Sequence, residues 1–92
     1  MIRSFKCKET EELFKNHCSQ RFQSIERGAR KRLFYLNAIS SLHELGRIPG
    51  NSLEALKGKR KGQYSVRIND QWRICFRWVD GNPHDVEIVD YH

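Results

Sequence analysis

"YSVRINDQWRICFRWVDGNPHDVEIV", residues 64–89, alternates apolar and polar residues and is broken twice by turn-forming residues. Tyr64, Val66 and Ile68 alternate with Ser65 and Arg67, and Trp72, Ile74, Phe76 and Trp78 alternate with Arg73, Cys75 and Arg77. Residues 86–89 form a third apolar run. Successive side chains of a strand point to opposite faces, so each run reads as a strand with one buried side. Asn69-Asp70-Gln71 and Asp80-Gly81-Asn82-Pro83 favour tight reversal of the chain. Three strands joined in this way form an antiparallel meander.

The same pattern sets the register. A first turn centred on Asp70 places Ile68 opposite Trp72, Val66 opposite Ile74 and Tyr64 opposite Phe76, all on one side. Arg67 and Arg73 then face each other on the other side. Like charges across a ladder are unfavourable, and either an anion between them or splaying into water relieves the conflict. A four-residue second loop over residues 80–83 pairs Val79 with His84 and Arg73 with Asp90, bringing Asp90 and His92 to the arginine face. A loop one residue longer or shorter brings Tyr91 there instead, and the pattern leaves both parities open. In either case the end of the last strand borders Arg73.

Upstream, "MIRSFKC", residues 1–7, reads as a first strand. Thr10 is a candidate N-cap for a short helix over residues 10–16, with Glu11 and Glu12 in its first turn, where the helix dipole favours them. A second helix, capped by Ser24, places Ile25, Ala29, Leu33, Leu36 and Ile39 on one apolar stripe. Gly28 disfavours helix by about 1 kcal/mol relative to Ala, which argues for a start after it. The cations of "RGARKR", residues 27–32, lie off the stripe, as a nucleic-acid patch or as the solvated face of an amphipathic helix. "SSLHELGRIPGNSL", residues 40–53, carries the stop signals Gly46, Pro49 and Gly50, and "LEALKGKRKGQ", residues 53–63, reads as a basic loop. The expected architecture is α+β: an N-terminal strand, two helices, then a three-stranded antiparallel meander with both helices on one face.

With 92 residues the chain is one small domain over residues 1–92, with little room for a buried cofactor. No apolar run is long enough to span a membrane, and the opening residues are too charged for a secretory leader, so a cytoplasmic protein is expected. The three cysteines, Cys7, Cys18 and Cys75, have no metal-ligand spacing and read as reduced thiols. All 17 Lys and Arg fall in residues 1–77 with only 7 of the 11 acids, a field that attracts polyanions.

Lys57, Arg67 and Arg73 supply donors for phosphate oxygens. His92 can move a proton near neutral pH, Asp90 can orient it or act as base, and Tyr91 can stack on a base. These parts suit RNA cleavage without a metal, with the RNA's own 2′-hydroxyl as nucleophile. A basic sheet with aromatic residues also suits binding without catalysis. His17, His43 and His84 read as structural or solvent-exposed.

"LEALKGKRKGQYSVRINDQWRICFRW", residues 53–78, with the closing Asp90-Tyr91-His92, resembles the HigB branch of the RelE-like toxins of bacterial toxin–antitoxin pairs. The resemblance rests on L-x-x-L-K-G from Leu53, G-x-x-S-x-R from Gly62, W-R-I-x-F from Trp72, D-Y-H, and the opening "MIRSF". It implies a ribosome-dependent messenger-RNA endonuclease acting in the A site without a metal, held in check by a HigA-like helix-turn-helix antitoxin. Operator DNA would then be met only through the antitoxin complex. Lys57, Arg67 and Arg73 match the family's basic positions, and Asp90, Tyr91 and His92 match its tail, with His92 expected to move a proton and Asp90 to assist. Some members have histidine where this chain has Glu54, and no role is carried onto Glu54. A toxin-derived protein acting mainly as a regulator with its antitoxin is the other reading of the same resemblance.

Overall fold

The structure is a computed structural model and describes residues 1–90; Tyr91 and His92 lie outside the described residues. Its elements are α1 (Lys8–Phe14), a 3₁₀ turn (Gln23–Ile25), α2 (Glu26–Ala38), α3 (Leu42–Gly46), β1 (Glu54–Ala55), a second 3₁₀ turn (Gly58–Arg60), β2 (Gln63–Arg67), β3 (Trp72–Val79) and β4 (Asn82–Asp90). The strands form one antiparallel sheet in the order β1-β2-β3-β4. The expected meander is β2 to β4. The two-residue strand β1 is an addition, lying where a loop was expected.

The first hairpin has the register the alternation demands: Tyr64 opposite Phe76, Val66 opposite Ile74 and Arg67 opposite Arg73. Asn69 closes its turn by accepting from the backbone N–H of Gln71 and of Trp72, both at 2.8 Å. The stripe of α2 packs on the resulting apolar face, and Leu13, Phe22, Ala29, Leu33 and Leu36 join Val66, Ile74, Phe76, Val86 and Ile88 in one core.

The second hairpin departs from the expected register. Val79 pairs with Asn82 across a two-residue Asp80-Gly81 turn, not with His84 across four residues. Both turn residues have positive φ, +50° and +76°, as the hairpin turn that matches strand twist requires. A bulge follows. Between the pairs Arg77–His84 and Cys75–Glu87, Asp85 (φ +51°) and Val86 together oppose Phe76. Beyond it Arg73 pairs with Val89, and Asp90 pairs with Trp72. Asp90 thus takes the parity of the helix-facing residues rather than joining Arg73, as a four-residue loop would have required.

The expected N-terminal strand runs parallel to β4 through one bridge, Phe5 to Val86. Its bonds are Arg3 N–H to the Pro83 carbonyl at 2.9 Å, Lys6 N–H to the Val86 carbonyl at 3.0 Å, and Val86 N–H to the Ser4 carbonyl at 3.1 Å. Ser4 Oγ also accepts from the N–H of Asp85 at 2.9 Å, tying down the bulge.

The helix ends differ in detail from expectation. α1 begins at Lys8, so Thr10 is inside it rather than capping it, and its buried hydroxyl accepts from Ile88 N–H of β4 at 3.1 Å. α2 begins at Glu26, before Gly28 and without a Ser24 cap, because the 3₁₀ turn leads straight into it. α3 was not expected: Ser41 Oγ accepts from Glu44 N–H at 3.2 Å and starts a short helix ahead of the stop signals.

Thr10→Val keeps the side-chain volume and strips the buried Ile88 N–H of its acceptor. It is expected to destabilise the protein by about 1–3 kcal/mol, read as a lower urea midpoint at unchanged slope, with Thr10→Ser less affected.

Candidate ribonuclease face

Because α1 and α2 cover one side of the sheet, the other side carries the alternate residues of each strand. One row on it runs Glu54, Ser65, Cys75, Glu87 across β1 to β4, and the next runs Arg67, Arg73, Val89. Arg67 and Arg73 are therefore brought together as expected, and the end of β4 does flank Arg73.

The like-charge pair is accommodated by protein acceptors, with no need of an anion between the two side chains. Arg67 is ion-paired to Asp70 in the adjoining turn, where Asp70 is 97% exposed. Arg73 is half-buried: its Nε donates to Ser65 Oγ at 2.7 Å, and its Nη2 donates to the Ser52 carbonyl at 2.7 Å and, more weakly, to the Ser65 carbonyl at 3.5 Å.

Lys57 is exposed at the sheet's β1 edge, where residues 54–57 line an open groove of about 420 Å³. Asp90 is exposed and accepts from Gln71 Nε2 at 3.0 Å. The expectations for Tyr91 and His92 fall outside the described residues.

Four contributors were missed in the sequence. Ser65 and Glu87 share the parity of Arg67 and Arg73 once the register is known, so period-two counting finds them. Ser52 acts through its carbonyl, and Arg60 arrives on the 3₁₀ turn; neither leaves a signal. Glu87, 15% exposed, has Lys6 Nζ at 3.5 Å and Arg60 Nη1 at 3.7 Å. Arg60 also donates to Gln63 Oε1 at 3.2 Å. Cys75 is fully buried beneath these groups, and burial pushes its thiol pKa up; the neighbouring Arg60 and Arg73 only partly counter this, while Glu87 adds to it.

The cations of α2 divide. Arg30 is ion-paired to Glu26 and donates to the carbonyls of Leu13 at 3.0 Å and His17 at 2.8 Å. Arg32 turns back onto the Gly28 carbonyl at 3.1 Å. Only Arg27 and Lys31 of the run are exposed. Among the described residues no group of three or more His, Cys, Asp or Glu is placed to hold a metal, and no helix is long and apolar enough to cross a membrane.

Residues 3–92 match the family described as RelE-like toxin of type II toxin-antitoxin system HigB. The chain belongs to that family. It is 37% identical over 83 residues to Toxin HigB-1 of Vibrio cholerae, covering 88% of this chain and 87% of the relative. It is 32% identical over 96 aligned positions to Endoribonuclease HigB of Proteus vulgaris, covering all of both. Among solved structures, the YoeB–YefM toxin–antitoxin complex of Staphylococcus aureus matches with TM-score 0.61 and 22% identity, over 100% of this chain and 98% of that one. A YafQ variant from E. coli matches with TM-score 0.59 and 13% identity, over 98% and 91%. These two likenesses establish a shared RelE-like fold.

In the native protein at neutral pH, exposed Cys18 is expected to react with a disulfide reagent at once and Cys75 only after unfolding, a difference read by titration with and without denaturant.

Proposed function

We propose that this protein is a ribosome-dependent messenger-RNA endoribonuclease, the toxin of its toxin–antitoxin pair. The observation that carries the reading is the placement of Arg73, held half-buried on the helix-free face beside the end of β4. Membership of the family and the name of the Proteus relative support it.

In the proposed reaction the 2′-oxygen bonds to the adjacent phosphorus and the bond from phosphorus to the 5′-oxygen breaks. One proton leaves the 2′-hydroxyl and one is given to the departing 5′-oxygen. The products are a 2′,3′-cyclic phosphate and a 5′-hydroxyl end. Arg73 stabilises charge on the phosphoryl oxygens as it develops, and Arg67 and Lys57 hold flanking phosphates. His92 transfers a proton with assistance from Asp90, and Tyr91 stacks on a base. DNA lacks the nucleophile, so the chemistry itself selects RNA. The partners are the ribosomal A site with its message and a HigA-like helix-turn-helix antitoxin, with operator DNA met only through that complex, all in the cytoplasm.

Purified protein is expected to cut a message on programmed ribosomes and leave downstream fragments with 5′-hydroxyl ends. Arg73→Ala is expected to slow cutting about 10²-fold while ribosome binding persists. Tight, salt-sensitive ribosome binding with the message left intact would sink the proposal and mark a non-catalytic binding module.

A further inference from the structure

Arg73 is gripped before any RNA arrives. Ser65 is fully buried on β2, its Oγ 2.7 Å from Arg73 Nε, and the Ser52 carbonyl lies 2.7 Å from Nη2 of the same guanidinium. Both acceptors lie along one edge of a planar fork, so together they fix its plane and its rotation.

Ser52 is itself held in an unusual conformation. Its φ is +46°, a left-handed backbone that L residues adopt at a cost of about 1–2 kcal/mol. The residues before it are anchored. Gly50 turns the chain with φ +86°, and Asn51, 1% exposed, is fixed at three atoms. Its carbonyl accepts from Arg67 N–H at 2.6 Å, its N–H donates to the Ile48 carbonyl at 3.3 Å, and its Nδ2 donates to the Leu45 carbonyl at 3.4 Å. The loop is thus tied to α3 on one side and to β2 on the other, and it delivers one carbonyl to Arg73. Strained backbone over-determined in this way collects where a geometry must be kept.

We propose that Ser65, through its hydroxyl, and Ser52, through its carbonyl, are positioning residues that pre-aim the Arg73 guanidinium at the scissile phosphate. The inference rests on the endoribonuclease reading above. A donor that is already in place stabilises developing charge without reorganising during the reaction, and a displacement of about 1 Å can cost up to about 10²-fold in rate. The grip therefore acts on turnover and not on the affinity for ribosomes.

The test has two independent readouts on Ser65→Ala and Ser65→Thr. The first is side-chain ¹⁵N NMR of the Arg73 Nε–H, assigned by its disappearance in Arg73→Lys. Slow hydrogen exchange is expected in the wild type and in Ser65→Thr, with exchange about tenfold faster or more in Ser65→Ala, where the acceptor is gone. The second is cleavage on programmed ribosomes. Ser65→Ala is expected to lower kcat about tenfold with KM within about twofold, and Ser65→Thr to restore most of the rate.

Exchange unaffected by Ser65→Ala overturns the grip, and faster exchange with unchanged kcat overturns its role in positioning. If the wild type cuts nothing, the functional reading fails by itself, whereas the exchange data still decide whether Ser65 holds Arg73. Should Ser65→Ala fail to fold, Ser65→Cys keeps the volume with a much weaker acceptor and takes its place in both measurements.

Discussion

Val66, Ile74 and Ile88 lie side by side across β2, β3 and β4, each with at most 2% of its surface exposed. Burying each contributes about 1.5–3 kcal/mol. A slip of β3 by one residue would turn Arg73 towards the helices in place of Ile74, and an uncompensated buried charge costs about 3–5 kcal/mol. The alternatives to the observed register are therefore well separated from it. The adjacency of Arg67 and Arg73 is a by-product: once the apolar row is fixed, the two arginines have no choice but to face each other on the opposite side. The apolar row on one side of the sheet thus dictates the cationic row on the other.

That dependence explains why some elements were legible in the sequence and others were not. The first hairpin and the stripe of α2 follow from local periodicity, and both are observed. The second hairpin fails at two residues. Asp80 and Asp85 adopt positive φ, which Asp tolerates better than most side chains; only Asp85 sits in no pattern that demands it. Asp80-Gly81 is a strong two-residue turn signal that a longer loop reading overrides. The bulge is a different matter. Its N–H groups are satisfied by Ser4, 81 residues away from Asp85, and no local pattern records a contact of that range. One extra residue there reverses the parity of everything after it, which is why Asp90 pairs with Trp72. α3 was legible in principle, since Ser41 and Glu44 are a cap signature, but Gly46 and Pro49 masked it.

The helix cations show the limit of counting charges. In the run from Arg27 to Arg32, composition alone cannot separate a polyanion patch from a solvated face. The structure assigns Arg30 and Arg32 to backbone carbonyls, so half the run serves the fold, and the basic field nearest to the sheet's open face comes from Lys6, Lys57, Arg60, Arg67, Arg73 and Arg77 instead. Arg60 and Lys6 are drawn there by Glu87, an acid that offsets some of the charge while fixing where it sits.

The two central arginines are held with unequal strength, and the difference follows from burial. An ion pair to a partner as exposed as Asp70 contributes about 0–1 kcal/mol, because water and salt compete for both groups. The charged donor to the buried Ser65 hydroxyl contributes about 1.5–3 kcal/mol, and breaking it strands a buried acceptor, while the exposed Ser52 carbonyl adds direction more than strength. A phosphate approaching this face can displace Asp70 from Arg67 at little cost, but it must accept Arg73 where Ser65 and Ser52 hold it. Under the proposed function, one cation follows a flexible polyanion and the other defines the point to which that polyanion must come. Lysine could not take the second part: its rotating ammonium lacks the planar edge that two fixed acceptors need.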